Sequence, residues 1–141
     1  MNEEARFDVI AILGVGLIGG SLGMAARERG LAGRVIGIGR NEGRLDNARR
    51  LGAIDEFTLD RSAGVVDADL VVICTPVLEI APAVKDIAAS LKPGAIVTDV
   101  GSTKTEVVAA AESATPPGCH FVGGHPMCGS EASGVDAARP D

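Results

Sequence analysis

Short apolar runs rich in Val and Ile alternate along this chain with longer stretches that have helical periodicity. The first run, residues 8–13, leads into a glycine-rich turn over residues 14–20, and residues 21–29 continue as a helix. Five more runs predict strands, of which residues 70–74 are apolar throughout, as in buried parallel strands. The other four predicted strands are residues 34–38, 56–59, 95–99 and 121–123.

Three further helices are predicted between these strands. Asn41 is placed to cap a helix over residues 42–51, which Gly52 ends. Residues 77–91 form the next helix, in which Pro82 is expected to cause a bend or a restart, and residues 104–113 form the last. Alternating strands and helices predict the α/β class, with a Rossmann-type doubly wound parallel sheet.

The predicted sheet and its helices form a single domain over residues 1–130. A chain of 141 residues has the usual size of one domain. Residues 131–141 are small and polar, so we expect them to be a connection that leads out of the domain and not a part of its core.

Composition and charge narrow the class of function. Acidic residues outnumber basic ones, 19 to 13, so we do not expect the basic face that nucleic acids and anionic membranes require. No apolar run approaches the ~18 residues of a membrane span, and the acidic N-terminus is unlike a secretory signal. Three widely spaced cysteines predict neither disulfides nor a metal site, which favours a reducing, cytoplasmic location.

A G-x-G-x-x-G pattern joins the first predicted strand to the first predicted helix, and in this context it indicates dinucleotide binding. Gly14 would allow the tight turn, Gly16 the approach of the pyrophosphate, and Gly19 close packing of the helix on the strand. Leu17 and Ile18 open the helix, where free N–H groups and the helix dipole favour phosphate. The alternative is a glycine-rich turn kept only for tight packing.

The end of the second strand bears on which dinucleotide binds. NAD-binding domains carry an acidic side chain about 20 residues beyond the glycines, where it holds the ribose hydroxyls. Here Gly39 occupies that place and Arg40 follows it, with Arg44 farther on. An arginine without a carboxylate is the arrangement expected for the 2′-phosphate of NADP, so NADP is favoured over NAD. The alternative is that Arg40 is a solvated turn residue.

Polar segments also follow the later strands. Ligands of open α/β sheets bind outside the carboxyl ends of the strands, so Thr75 and Pro76 would border the nicotinamide ribose. Ser102 would hydrogen-bond a substrate hydroxyl, and His125 would accept a proton near neutral pH. The alternatives are an N-cap role for Ser102, which is compatible with the first role, and a structural role for His125.

Three segments together resemble the prephenate/arogenate dehydrogenases of tyrosine biosynthesis. They are GVGLIGGS at residues 14–21, DVGSTK at residues 99–104, and FVGGHPM at residues 121–127 followed by GSE at residues 129–131. The segments stand in the family's order and spacing and cover nearly all of the chain. The last two are quite specific, whereas the glycine turn alone occurs in many Rossmann reductases.

The resemblance implies an oxidative decarboxylation of prephenate or arogenate, with hydride transfer to NAD(P)+. His125 would accept the proton of the ring hydroxyl, Ser102 would help to hold that hydroxyl and the histidine, and loss of CO2 would make the ring aromatic. The family also has a second, mostly helical domain, which completes the substrate pocket, supplies cations for the substrate carboxylates and forms a homodimer. We do not expect that domain within residues 1–141, so we expect this chain to turn over substrate poorly alone.

Two other functions stay open from the sequence. One is another Rossmann oxidoreductase, of the β-hydroxyacid dehydrogenase or imine reductase type, although Gly124-His125-Pro126 together with Gly101-Ser102 would not be expected there. The other is a non-catalytic dinucleotide-binding module. The choice between prephenate and arogenate also stays open, because the residues that distinguish a keto acid from an amino acid would lie largely in the second domain.

Overall fold

Six parallel strands form one sheet in the part of the chain that the computed structural model describes, residues 6–101, 105–124 and 135–140. The strands are β1 (Phe7–Leu13), β2 (Ala32–Ile38), β3 (Glu56–Thr58), β4 (Leu70–Ile73), β5 (Ile96–Asp99) and β6 (His120–Val122). Their order across the sheet is β3-β2-β1-β4-β5-β6. The order reverses between β1 and β4, which is where ligands bind in sheets of this type.

Helices connect these strands and cover both faces of the sheet. They are α1 (Leu17–Glu28), α2 (Glu42–Arg50), α3 (Arg61–Val65), α4 (Val77–Ile87) and α5 (Thr105–Ala114), with short 3₁₀ helices at Ala88–Ser90 and Val135–Ala137. The predicted Rossmann-type doubly wound fold is therefore confirmed. Among the helices of the described residues, none is long and apolar enough to cross a membrane.

Alternation of side chains along the strands divides the core into two layers. On β1, Val9, Ala11 and Leu13 face the layer under α3, α4 and α5, whereas Ile10 and Ile12 face the layer under α1 and α2. Both faces of the central strands are buried, which is why these strands are apolar at nearly every position.

The helices differ from the sequence prediction in three places. The first helix begins at Leu17, four residues before the predicted start. The helix α3 was not predicted, and α4 does not restart at Pro82, which lies exposed inside it. The predicted cap is confirmed, because the Asn41 side chain accepts a hydrogen bond from the Arg44 N–H at 3.0 Å.

The described end of the chain packs against the start of α1, which its small and polar composition did not indicate. Val135 is only 6% exposed and belongs to the core layer under α1 and α2. A Cβ built on Gly20 would lie 2.8 Å from the Val135 side chain, so this contact is possible because residue 20 has no side chain. The Arg139 N–H also donates to the Ser21 hydroxyl at 2.9 Å. Val135 therefore contributes to the core, although the sequence predicts that residues 131–141 are a connection out of the domain and not a finished core element.

Replacement of Val135 by Ala should lower the free energy of unfolding by about 1–3 kcal/mol, because it removes buried methyl groups and leaves a cavity. The matched control is Val122→Ala on the edge strand, where the side chain is 56% exposed and the expected loss is below about 0.5 kcal/mol. Denaturant unfolding measures both. Equal stability of the two variants would contradict the docking of this segment.

Candidate dinucleotide-binding site

A cleft of about 410 Å³ opens at the carboxyl edge of the sheet, where the ends of β1, β2, β3 and β4 meet. The turn after β1 lies on one side and the start of α2 on the other, with residues that follow β3 and β4 completing the walls. The lining residues are Leu13, Gly14, Val15, Gly16, Ile38, Gly39, Arg40, Asn41, Arg44, Leu45, Leu59, Arg61, Cys74, Thr75, Pro76 and Glu79.

The glycine turn brings backbone atoms into close contact at the base of this cleft. Gly14 has a φ of +89°, and a Cβ there would lie 2.9 Å from the carbonyl oxygen of Cys74. A Cβ on Gly19 would collide with the carbonyl oxygen of Gly14. A Cβ on Gly16 would meet nothing within 4 Å. Gly14 and Gly19 therefore serve internal packing, whereas Gly16 leaves open space in front of α1.

Two polar features of the described residues lie beside this space without a protein partner. No side chain caps the N-terminus of α1, so the first turn presents backbone N–H groups to the cleft. The Thr75 hydroxyl oxygen is buried and has no hydrogen-bond partner in the described part of the chain. Since buried polar groups are nearly always satisfied, both features indicate a polar ligand at this position.

Three arginines give the cleft a positive rim, although the chain as a whole is acidic. Arg40 is 80% exposed and lies 3.7 Å from the Glu79 carboxylate, an ion pair that contributes little in water. Arg61 pairs with Asp86 at 2.8 Å. Arg44 lines the same rim from the first turn of α2. The rim is therefore suited to an anion that is held by guanidinium groups.

A buried carboxylate, that of Asp99, connects the ends of β5 and β6 beside the cleft. The Asp99 side chain at the end of β5 accepts hydrogen bonds from the backbone N–H groups of Gly101, at 2.9 Å, and Gly124, at 3.3 Å. Asp99 also affects a neighbouring thiol. Burial raises the pKa of Cys74 to about 12, and the negative charge of Asp99 adds to this rise.

The structure brings six of the predicted binding residues to the cleft: Gly14, Gly16, Gly39, Arg40, Thr75 and Pro76. Leu17, Ile18 and Gly19 form the start of α1 directly behind it. Ser102 and His125 lie outside the described residues, so their roles stay predictions.

Sequence reasoning missed two residues of this edge, Arg61 and Asp99. Arg61 opens α3, whose five residues are too few to show helical periodicity. The available signal was Asp60, which caps α3 by accepting hydrogen bonds from the N–H groups of Ser62 and Ala63. Asp99 was recognised only as part of a motif, because its hydrogen-bond donors Gly101 and Gly124 are far from each other in the chain.

Residues 22–141 match the family described as the nucleotide-binding domain of prephenate dehydrogenase. The chain belongs to this family. The resemblance noted in the sequence is therefore confirmed. The matched residues begin within α1 and include α2 to β6, whereas the glycine turn precedes them.

Sequence relatives carry related activities in their names. The prephenate dehydrogenase of Bacillus subtilis (strain 168) is 41% identical over 133 residues, which are 94% of this chain and 36% of the relative. The cyclohexadienyl dehydrogenase of Zymomonas mobilis is 35% identical over 93% of this chain and 44% of the relative. This chain thus spans less than half of the length of either relative.

Solved structures show the same relationship. The arogenate dehydrogenase of Synechocystis superposes with a TM-score of 0.85 at 36% identity, over 93% of this chain and 45% of that one. The prephenate dehydrogenase of Aquifex aeolicus, in complex with hydroxyphenyl propionate and NAD+, has a TM-score of 0.87 at 32% identity, over 99% and 48%. A 3-hydroxyisobutyrate dehydrogenase of Mycobacterium tuberculosis, at 22% identity and a TM-score of 0.72, shares the fold alone.

The residues of this cleft fit a nicotinamide dinucleotide. The space in front of Gly16 and the uncapped start of α1 suit a pyrophosphate, because backbone N–H groups and the helix dipole there attract anions. The unpartnered Thr75 hydroxyl suits a ribose or amide group. The chain therefore belongs to a family of nucleotide-binding domains, and its cleft has the features that such a ligand requires.

Replacement of Gly16 by Ala should weaken dinucleotide binding about tenfold or more, because the methyl group would occupy the open space in front of α1. Titration followed by nicotinamide fluorescence measures the affinity. Gly19→Ala is the contrasting variant, since its methyl group collides with the Gly14 carbonyl and should lower the melting temperature more. Undiminished binding by Gly16→Ala would place the phosphates elsewhere.

Cys74 should resist alkylation in the folded chain at about pH 8, because its raised pKa keeps the thiol protonated and the thiolate is the reactive form. Iodoacetamide followed by mass spectrometry tests this, with the unfolded chain as control. The same shift predicts that stability falls as the pH rises above 9.0, where the unfolded thiol ionises, towards about 12. Rapid modification of Cys74 in the folded chain would contradict the raised pKa of its thiol.

Proposed function

We propose that this chain is the cofactor-binding part of an NAD(P)-dependent dehydrogenase that oxidatively decarboxylates prephenate or arogenate in tyrosine biosynthesis. The observation that carries the proposal is the glycine turn, which keeps the space in front of Gly16 open at the switch point of the sheet. Membership of the prephenate dehydrogenase family supports the substrate class. The relatives named for prephenate, cyclohexadienyl and arogenate dehydrogenase activity support it as well.

NADP is the proposed dinucleotide. The residue that would carry an acidic side chain in an NAD-binding domain is Gly39, and a carboxylate there would repel a 2′-phosphate. Arg40, Arg44 and Arg61 line the same end of the cleft. The weak ion pair between Arg40 and Glu79 offers little resistance to rearrangement around a phosphate.

The proposed chemistry divides the work between the dinucleotide and two side chains. A nicotinamide bound in the cleft would supply the hydride acceptor for the ring carbon that carries the hydroxyl group. His125 accepts the proton of that hydroxyl on an imidazole nitrogen, and Ser102 holds the hydroxyl and the histidine by hydrogen bonds. Loss of the ring carboxylate as CO2 makes the ring aromatic, which supplies the driving force.

The rest of the proposed enzyme lies in a second, helical domain. This chain covers 36% to 48% of the length of the relatives described above, and we propose that the additional length supplies the cations for the substrate carboxylates and the homodimer interface. Residues 1–130 then form the dinucleotide-binding domain and residues 131–141 lead towards the second domain. A cytoplasmic location remains a prediction from the cysteine content.

Replacement of Arg40 by Ser should remove most of a preference for NADPH over NADH that we expect to be about tenfold or more. Loss of the guanidinium removes a charged hydrogen bond to the 2′-phosphate and leaves NADH binding nearly unchanged. Arg50→Ser is the control, because Arg50 is also exposed but pairs with Asp46 at the far end of α2. Equal or tighter binding of NADH by the unaltered chain would overturn the assignment of NADP.

The activity itself is tested with prephenate and arogenate. The 141-residue chain should turn over neither at a useful rate, whereas a form that also carries the helical domain should oxidise one or both. In that form, His125→Asn should lower kcat about 10²- to 10⁴-fold, because the proton acceptor is lost. Unchanged turnover would remove His125 from the mechanism, and rapid turnover by residues 1–141 alone would show that the second domain is not needed.

A further inference from the structure

Asp99 occupies an unusual place at the carboxyl edge of the sheet. It is 1% exposed, and it is the buried charged residue of the described core. A carboxylate in such a place is stable only when donors surround it, and its hydrogen bonds are then stronger than those between neutral groups. The Asp99 side chain therefore determines where its donors lie.

Two donors among the described residues belong to different segments of the chain. Backbone pairing between β5 and β6 ends with Thr98 and Val122, so the strands no longer hold each other beyond this point. The Asp99 carboxylate continues the connection, with one oxygen accepting from Gly101 and the other from Gly124. One side chain thus aligns the first residues of two loops that are more than 20 residues apart in the sequence.

The two glycines allow this close approach from opposite sides. A Cβ on Gly101 would lie 2.9 Å from a carboxylate oxygen of Asp99 and 2.7 Å from the end of the Ile80 side chain. A Cβ on Gly124 would lie 2.8 Å from the backbone oxygen of Asp99. All three distances are shorter than those that Cβ atoms adopt, so the backbone at positions 101 and 124 comes this close to Asp99 because both residues are glycine.

We propose that Asp99 is a positioning residue for the dehydrogenation, which holds the loops after β5 and β6 in a fixed relation. Ser102 follows Gly101 in the chain and His125 follows Gly124, so each proposed catalytic residue is bonded directly to a glycine that Asp99 holds. The inference rests on the proposed function and adds a residue that does not itself touch the substrate. Its effect passes through the backbone to Ser102 and His125.

Asp99→Asn is the most informative variant, because it keeps the shape of the side chain. An amide has one acceptor oxygen, so one of the two backbone N–H groups would face an –NH2 group and lose its acceptor. Asp69→Asn is the matched control. Asp69 also accepts a strand N–H, that of Val9 at 3.0 Å, but at the opposite edge of the sheet.

The test is made in a form that also carries the helical domain. We expect Asp99→Asn to lower kcat about tenfold to a hundredfold, since small displacements of reacting groups have effects of this size. The affinity for NADPH should stay within about twofold, because the cleft is formed at the ends of β1 to β4 and Asp99, at the end of β5, does not line it. Asp69→Asn should leave kcat unchanged even where it lowers the melting temperature. Added to His125→Asn, Asp99→Asn should cause a smaller further loss than it causes alone, since part of its effect passes through His125.

The outcomes separate this inference from the proposed function. If His125→Asn lowers kcat and Asp99→Asn does not, the positioning role is wrong and the proposed function stands. If His125→Asn has no effect, the proposed base is wrong, and the positioning role fails with it. Full additivity of the two substitutions would also overturn the inference, because it would show that Asp99 acts independently of His125.

A second variant covers the case in which Asp99→Asn does not fold. Gly124→Ala disturbs the same junction while keeping the carboxylate, and it should lower kcat with little change in NADPH affinity.

In the 141-residue chain, which has two histidines, Asp99→Asn should also move the NMR signals of the His125 ring. An unchanged kcat for Gly124→Ala, or unmoved His125 signals, would contradict the proposed role.

Discussion

Contact between backbone atoms at the carboxyl end of β1 is the constraint on which the rest of this structure depends. The turn passes so close to the Cys74 carbonyl, and α1 so close to the Gly14 carbonyl, that a side chain at Gly14 or Gly19 would separate them. This contact holds the start of α1 between β1 and β4, where the strand order reverses. The uncapped N–H groups of the helix consequently face an open cleft, which is the property that a pyrophosphate site requires.

Local charge and buried polar groups then give this edge its chemical character. The net charge of −6 argues against a polyanionic partner. Three arginines nevertheless line the cleft, so positive charge is concentrated where a small phosphate ligand would bind. On the other side of β4, the Asp99 carboxylate connects the ends of β5 and β6. One half of the edge thus has the features of a dinucleotide site, and in the other half the Asp99 carboxylate connects the residues that follow β5 and β6.

Much of the fold could be predicted, because buried parallel strands are short, apolar and bounded by turn residues. The helix α3 was missed since five residues that include Gly64 show no periodicity. The docking of Val135 was missed because it depends on Gly20, whose role in contact with a distant segment has no local signal. At the site, the glycine pattern between a predicted strand and helix, together with positions at predicted strand ends, was enough to predict the glycine turn, Arg40 and Thr75 as residues that line the cleft. The unpartnered state of the Thr75 hydroxyl and the partners of Asp99 depend on three-dimensional packing, which a single sequence does not reveal.

A dinucleotide that binds at the carboxyl edge of the sheet would place its phosphates at the start of α1. Backbone amide NMR of the chain during a titration with NADPH locates the binding site. We expect the largest shifts at Gly16, Leu17, Arg40 and Thr75, with little change at Gly94 and Gly118, which are hydrogen-bonded to each other at the opposite edge. Shifts concentrated at Gly94 and Gly118, or no shifts at all, would contradict it.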